Sequence, residues 1–179
     1  MRAGDGPVTG EGAGGTGGAG RPAGEVYDWF VRGRTLLEGG NPEAAAELLA
    51  HARDEAPESA SVLETLARAL FDARRYSEAE RAFTELLEAG PDDDYARFGL
   101  GLSRLRLGDL AGALPQLAAA VTMRPDRPDY QRALREARAT VRARTEAGLD
   151  AGLVSPAELD ALGPAGPLDV VEPPSRDEP

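Results

Sequence analysis

Few residues of this chain belong to the types that carry out covalent or metal chemistry. The sequence holds one histidine and no cysteine, which excludes thiol nucleophiles, disulfides and thiolate metal sites together. His51 has no second ligand at metal spacing, so we expect it to lie on the surface or to pack rather than to catalyse. The glycine-rich start does not stand between a strand and a helix and therefore cradles no phosphate. The sequence predicts a protein that is not an enzyme and binds no metal or cofactor.

The run of three acids at Asp92, Asp93 and Asp94 is the other cluster that invites a metal interpretation. It stands where the apolar spacing predicts the start of a helix, and acidic side chains complement the positive end of the helix dipole. We expect a helix start here.

The elements that position these residues repeat at a fixed interval. Pro57, Pro91 and Pro125 stand 34 residues apart. Small and large apolar residues align at the same interval: Gly33, Ala67 and Gly101; Ala45, Ala79 and Ala113; Leu49, Phe83 and Leu117; Ala52, Leu86 and Ala120. Small residues let two helices approach closely, and large ones fill the space between units. Such a period is typical of a helical solenoid, in which stacked units supply one another's core.

Each copy resembles the tetratricopeptide repeat (TPR) family, whose pattern runs from Trp through Leu-Gly, Tyr, Ala, Phe and Ala to Pro. The first copy follows it at Trp29, Gly33, Leu36, Ala45, Leu49, Ala52 and Pro57. The copies depart from the pattern at Arg32, Arg97 and Arg104, where apolar residues are usual. Pro115 falls about six residues into a predicted helix, where we expect it to bend the helix without breaking it.

The resemblance implies an all-α fold, a right-handed helical solenoid of three helix-turn-helix units plus a C-terminal capping helix. The TPR domain spans 25–148, with repeats at about 26–59, 60–93 and 94–127 and the capping helix at about 128–147. Asn41 and a capping box at Ser77 predict the starts of the second helices in units one and two. In the capping helix Arg132, Arg135, Arg138 and Arg142 share one face, which is either a solvated surface or a binding stripe.

Both ends of the chain have compositions that differ from the repeats. Residues 1–24 contain ten glycines and form a Gly-rich tail that we expect to be disordered. Residues 149–179 form an acidic, Pro-rich tail with a possible short helix at 157–162, after a capping box at Ser155. That helix, or the acidic and apolar stretch at 168–172, would be able to fold into a groove of the domain. The alternative is a disordered tail.

The net charge of −11 excludes broad classes of partner. Residues 148–179 hold seven acids against one arginine, and the field of such a chain repels phosphates. We therefore expect no nucleic-acid or anionic-membrane binding. No secretory signal or membrane span is evident, so we expect a cytoplasmic protein.

The resemblance further implies that the first helix of each unit lines a concave groove for an extended peptide or a partner helix. The groove positions carried over by register are Tyr27, Phe30, Arg34, Leu37, Glu64, Arg68, Phe71, Tyr95, Phe98, Leu102 and Arg106. Arg34 and Arg68 occupy the same position one repeat apart, and together they suit a carboxylate. The predicted ligand mixes acidic and apolar residues. In the alternative interpretation, the two arginines pair with Glu38 and Glu64.

One subtype of the family reads acidic chaperone C-termini with lysines and asparagines, but this chain has no lysine and carries Phe30, Arg34 and Thr65 in that neighbourhood. That ligand is not expected. The leading hypothesis is a non-catalytic adaptor that binds a protein or peptide, as a monomer or with weak self-association. The alternatives are a self-associating structural scaffold and a regulatory subunit that docks on an enzyme.

Overall fold

The chain between residues 23 and 146 folds into seven α-helices, as described by a computed structural model. The helices are α1 (Ala23–Glu38), α2 (Pro42–Glu55), α3 (Ala60–Asp72), α4 (Tyr76–Ala89), α5 (Asp94–Leu107), α6 (Leu110–Met123) and α7 (Pro128–Glu146). The predictions for the two tails, including the short helix at 157–162, lie outside the described residues.

Each helix packs chiefly against the next one along the chain, and α1, α3, α5 and α7 also contact one another in succession. The described residues form no strand. This is the one-dimensional packing of a helical solenoid, in which α1 with α2, α3 with α4 and α5 with α6 form three helical hairpins and α7 covers the last. The prediction of an all-α solenoid is confirmed. No helix among residues 23–146 has the length and apolar character needed to cross a membrane.

The repeated small and large residues meet as the alignment predicts. A Cβ atom added at Gly33 would lie 2.6 Å from Leu49 Cγ, and one added at Gly101 would lie 2.7 Å from Leu117 Cγ. Both leucines are fully buried. The absence of a side chain at the glycine is therefore what lets the two helices of a unit close on each other.

Of the three predicted helix starts, two are confirmed and one is wrong. Helix α2 begins at Pro42 after Asn41, and α5 begins after Asp93, whose carboxylate accepts a hydrogen bond from the Ala96 amide at 2.9 Å. Helix α4 begins at Tyr76, so Ser77 lies inside it and forms no capping box. The glutamate that the box requires, Glu80, instead accepts a hydrogen bond from Arg104 Nε at 2.9 Å.

The arginines that depart from the repeat pattern have partners or lie at an end of the array. Arg104 joins α5 to α4 through Glu80, while Arg97 donates to the Pro91 carbonyl oxygen at 2.8 Å. Arg32 is exposed on α1, the first of the described helices. Helix α6 runs unbroken through Pro115, whose ring is exposed.

Ion pairs join the second helices of the first two units on the side away from the groove. Arg53 Nη2 donates to both carboxylate oxygens of Glu85, at 2.8 and 2.7 Å. Arg75 donates to Glu78 at 2.8 and 2.7 Å and also bridges to Glu47 at 2.5 Å. These hydrogen bonds raise the pKa of Arg75 and lower the pKa of Glu78.

Candidate functional site

The eleven predicted groove residues all lie on α1, α3 and α5, but they differ in exposure. Five of them have less than a tenth of their surface exposed and belong to the core: Leu37, Phe71, Tyr95, Phe98 and Leu102. The expectation that these five face an open cavity is therefore not met. The other six are exposed or half-buried: Tyr27, Phe30, Arg34, Glu64, Arg68 and Arg106.

Two groove positions of the third unit, Tyr95 and Phe98, are buried because aromatic rings fill the space around them. The Phe98 ring stacks on Tyr130 of α7 with centroids 4.2 Å apart, and Tyr95 meets Phe83 edge to face at 6.2 Å. The Tyr130 hydroxyl donates to Asp94 at 2.9 Å, and the Arg127 guanidinium lies over its ring. Burial first, and the hydrogen bond to Asp94 second, raise the pKa of Tyr130 above its usual range.

The open part of the surface is formed by α1 and α3. Tyr27 is 67% exposed and Phe30 is half-buried. Both line a cavity of about 450 Å³ that is bounded on the other side by Val62 and Ser61 of α3 and by the end of α2. Aromatic rings beside an accessible cavity are the usual composition of a binding pocket.

Arg34 and Arg68 each meet an acid four residues further along the same helix. Arg34 Nε lies 3.5 Å from Glu38, as the alternative interpretation expected, whereas Arg68 Nε lies 3.7 Å from Asp72. The Arg34 guanidinium also lies 5.9 Å from the centroid of the Phe30 ring. The two ion pairs therefore occupy equivalent positions in successive repeats.

The environments of the two arginines differ. The Arg34 side chain is 51% exposed, whereas that of Arg68 is 26% exposed. Arg68 Nε is buried and makes no hydrogen bond, because 3.7 Å to Asp72 is too long for one. Arg68 on α3 thus holds a buried, unsatisfied guanidinium N–H.

Sequence reasoning missed two residues of this surface and one contact between the second and third units. Val62 lines the cavity, Asp72 pairs with Arg68, and Gly99 accommodates Phe83, whose ring would lie 2.3 Å from an added Cβ. The spacing of four residues between Arg34 and Glu38 and between Arg68 and Asp72 was visible in the sequence. The role of Gly99 was not visible, since it contacts the preceding unit.

The residue types that the sequence offers for metal chemistry do not come together among residues 23–146. His51 is exposed, with its ring centroid 6.2 Å from that of Trp29. The described residues contain no group of three or more His, Cys, Asp or Glu side chains able to hold a metal.

Residues 64–128 match the sequence model of the tetratricopeptide repeat family. A comparison with curated proteins gave no match.

Several solved structures share the fold. The Sgt2 TPR domain from Aspergillus fumigatus is 19% identical, with 84% of this chain and 93% of that one covered and a TM-score of 0.61. The first TPR of Spaghetti (RPAP3), bound to the HSP90 peptide SRMEEVD, is 16% identical over 69% of this chain and 98% of that one, with a TM-score of 0.62. MamA of AMB-1 is 21% identical over 76% and 74%, with a TM-score of 0.60. The sequence match identifies residues 64–128 as tetratricopeptide repeats, and the 34-residue period and the shared fold continue the same helical arrangement over residues 23–146.

Proposed function

We propose that this protein is a non-catalytic interaction module that binds an extended peptide along α1 and α3. The ligand places an apolar side chain in the cavity beside Tyr27 and Phe30 and a carboxylate at Arg34 and Arg68. The observation that carries the proposal is the unsatisfied Nε–H of Arg68 on α3.

The cavity supports the apolar part of the proposal. Its volume of about 450 Å³ exceeds that of a single side chain, and Tyr27, Phe30 and Val62 give it apolar walls. Tyr27 keeps two thirds of its surface in water. Covering such a ring stabilises a complex by about 25 cal/mol for each Å² of apolar surface removed from water.

The ion pairs on this surface support the acidic part. Both are longer than a hydrogen bond and join residues of one helix, where such pairs are worth about 0.3–0.5 kcal/mol. A ligand carboxylate that hydrogen-bonds to a guanidinium group gains more, since charge-assisted bonds are among the strong ones. If the Arg68 side chain turns toward the ligand, the carboxylate also satisfies an N–H whose lack of a hydrogen bond costs about 1–3 kcal/mol in the free protein.

The HSP90 peptide bound to the Spaghetti domain is not the ligand that we propose. Its sequence, SRMEEVD, contains acidic and apolar residues, but that complex belongs to a protein only 16% identical. The present chain has no lysine, and its Thr65 hydroxyl donates to the Ser61 carbonyl oxygen at 2.7 Å. We expect a different sequence with the same mixture of residue types.

A peptide-display selection on the full chain, followed by titration of the enriched peptides, tests the proposal. We expect the selected peptides to combine an acid with a large apolar residue and to lose at least tenfold in affinity against the R34A/R68A variant. The R32A/R81A variant removes two exposed arginines outside this surface and is the matched control. Equal affinity for both variants, or a selection indifferent to acids, would overturn the proposal.

The array ends favour an adaptor over a self-associating scaffold. Arg32 occupies the position held by the buried Leu66 and Leu100 in the later units, so it places a charge on the outer face of the first unit. Helix α7 places Arg135 at the position of Gly33 and Gly101. Head-to-tail stacking would bury these like charges, so we expect a monomer. A light-scattering mass that rises with protein concentration would contradict this expectation.

A further inference from the structure

We propose that the outer face of α7 is the docking site of the chain's own acidic C-terminal segment, residues 147–179. The face consists of Arg132, Arg135 and Arg138 and is named the α7 arginine face here. This site is separate from the peptide surface on α1 and α3, and the inference does not depend on the proposed function.

The α7 arginine face lies opposite the side of α7 that packs on the domain. Tyr130, Ala133, Ala137 and Val141 are buried and contact the domain, whereas Arg132 and Arg135 are exposed and Arg138 is half-buried. Three residues make nearly one helical turn, so side chains at 132, 135 and 138 form a stripe about 9 Å long.

None of these three arginines makes a hydrogen bond or an ion pair with the rest of the described chain. Other arginines of the domain contrast with them, because each binds a carboxylate within 3.1 Å: Arg53, Arg75, Arg104 and Arg127. A stripe of uncompensated positive charge in a chain of net charge −11 is unusual and favours an acidic occupant.

The segment that follows α7 supplies complementary charge. Residues 147–179 contain seven acids and one arginine, a net charge of −6. Nearest to the helix are Asp150, Glu158 and Asp160. The tail therefore carries more negative charge than the three arginines carry positive charge.

The connection is long enough for the segment to turn back along α7. Arg132 lies 14 residues before Glu146, about 21 Å along the helix axis. Glu158 follows Glu146 by 12 residues, which span up to about 40 Å when extended. Tethering holds the acids at an effective concentration on the order of millimolar, so contacts that are individually weak suffice.

The chain contains no cysteine, so a single introduced thiol reports on the segment alone. We would attach a spin label to A165C in the full chain and record paramagnetic broadening of the backbone amide signals. The expected result is broadening of amides on the α7 arginine face at low salt and its loss in 1 M salt, where the Debye length falls to about 3 Å.

Charge reversal makes the test specific. We expect R132E/R135E to abolish the broadening on α7, and the matched control R32E/R81E, which reverses two exposed arginines on α1 and α4, to retain it. Broadening on α1 and α3, broadening that R132E/R135E leaves unchanged, or no broadening at all would each overturn the proposal.

Discussion

The first two units and the third unit use the same register positions for different purposes. At the first-unit positions Tyr27 and Phe30 remain accessible beside a cavity, whereas their third-unit counterparts Tyr95 and Phe98 are buried. The difference comes from the neighbouring helix, because Tyr130 of α7 stacks on Phe98 at 4.2 Å and leaves no room for a ligand. An aromatic residue at a groove position thus serves binding or folding according to what packs beside it.

Removing one aromatic ring from the first unit and one from the third should separate a role in binding from a role in folding. We expect F98A to lower the free energy of unfolding by about 3–5 kcal/mol, since a fully buried ring leaves a cavity. F30A should cost about 1 kcal/mol and weaken peptide binding instead. Urea denaturation followed by circular dichroism measures both, and F98L serves as a milder replacement. If F98A and F30A lose the same stability, the first and third units do not differ in this respect.

The contact between the second and third units should be sensitive to a single methyl group. In G99A the added carbon would lie 2.3 Å from the Phe83 ring, which is fully buried. Overpacking of this kind costs about 1–3 kcal/mol, which exceeds the gain from replacing a helical glycine with alanine. G90A is the control, because its nearest contact would lie at 3.8 Å. A G99A protein as stable as the wild type in thermal unfolding would contradict the packing described.

The hydroxyl of Tyr130 should contribute less than its ring. Y130F keeps the stack on Phe98 and removes the hydrogen bond to Asp94. We expect a loss of about 1–2 kcal/mol in the free energy of unfolding. Y130A, which also removes the ring, should cost considerably more. If Y130F and Y130A are equally destabilised, the stack of Tyr130 on Phe98 contributes nothing to the stability of the third unit.

The smallest expected effect concerns the ion pairs on the outer side of the first two units. The hydrogen bonds from Arg75 lower the pKa of Glu78, so this pair stabilises the fold above the unfolded-state pKa of about 4.5 and loses that contribution as the pH falls below it. Because Glu78 is 42% exposed, E78Q should cost less than about 1 kcal/mol at pH 7. The difference between E78Q and the wild type should shrink below pH 4 in urea titrations. A difference that grows on acidification would contradict the sign of the shift.

The sequence predicted the architecture well because the core positions repeat. Gly33, Gly101, Leu49 and Leu117 lie in the interior of their units, where the repeat pattern alone determines what they touch. The acid at Asp93 also acts as predicted, since a helix cap is a local interaction.

The candidate site was less predictable, because exposure depends on residues outside the repeat pattern. Tyr130 follows the third repeat and lies outside the repeat pattern, yet it helps to bury Phe98 of that repeat. The Ser77 capping box is absent because α4 begins at Tyr76, and Glu80 is instead the partner of Arg104, 24 residues away. A non-local contact of this kind cannot be read from local sequence.

The contrast between the accessible surface on α1 and α3 and the buried positions of the third unit is tested most directly by mapping a bound peptide on the protein. We would titrate the full chain with the peptide enriched most strongly in the display selection and follow the backbone amide chemical shifts. The account predicts that shifts concentrate on α1 and α3, around Tyr27, Phe30, Arg34 and Arg68. Shifts concentrated on α5 and α7, with those four positions unaffected, would contradict it.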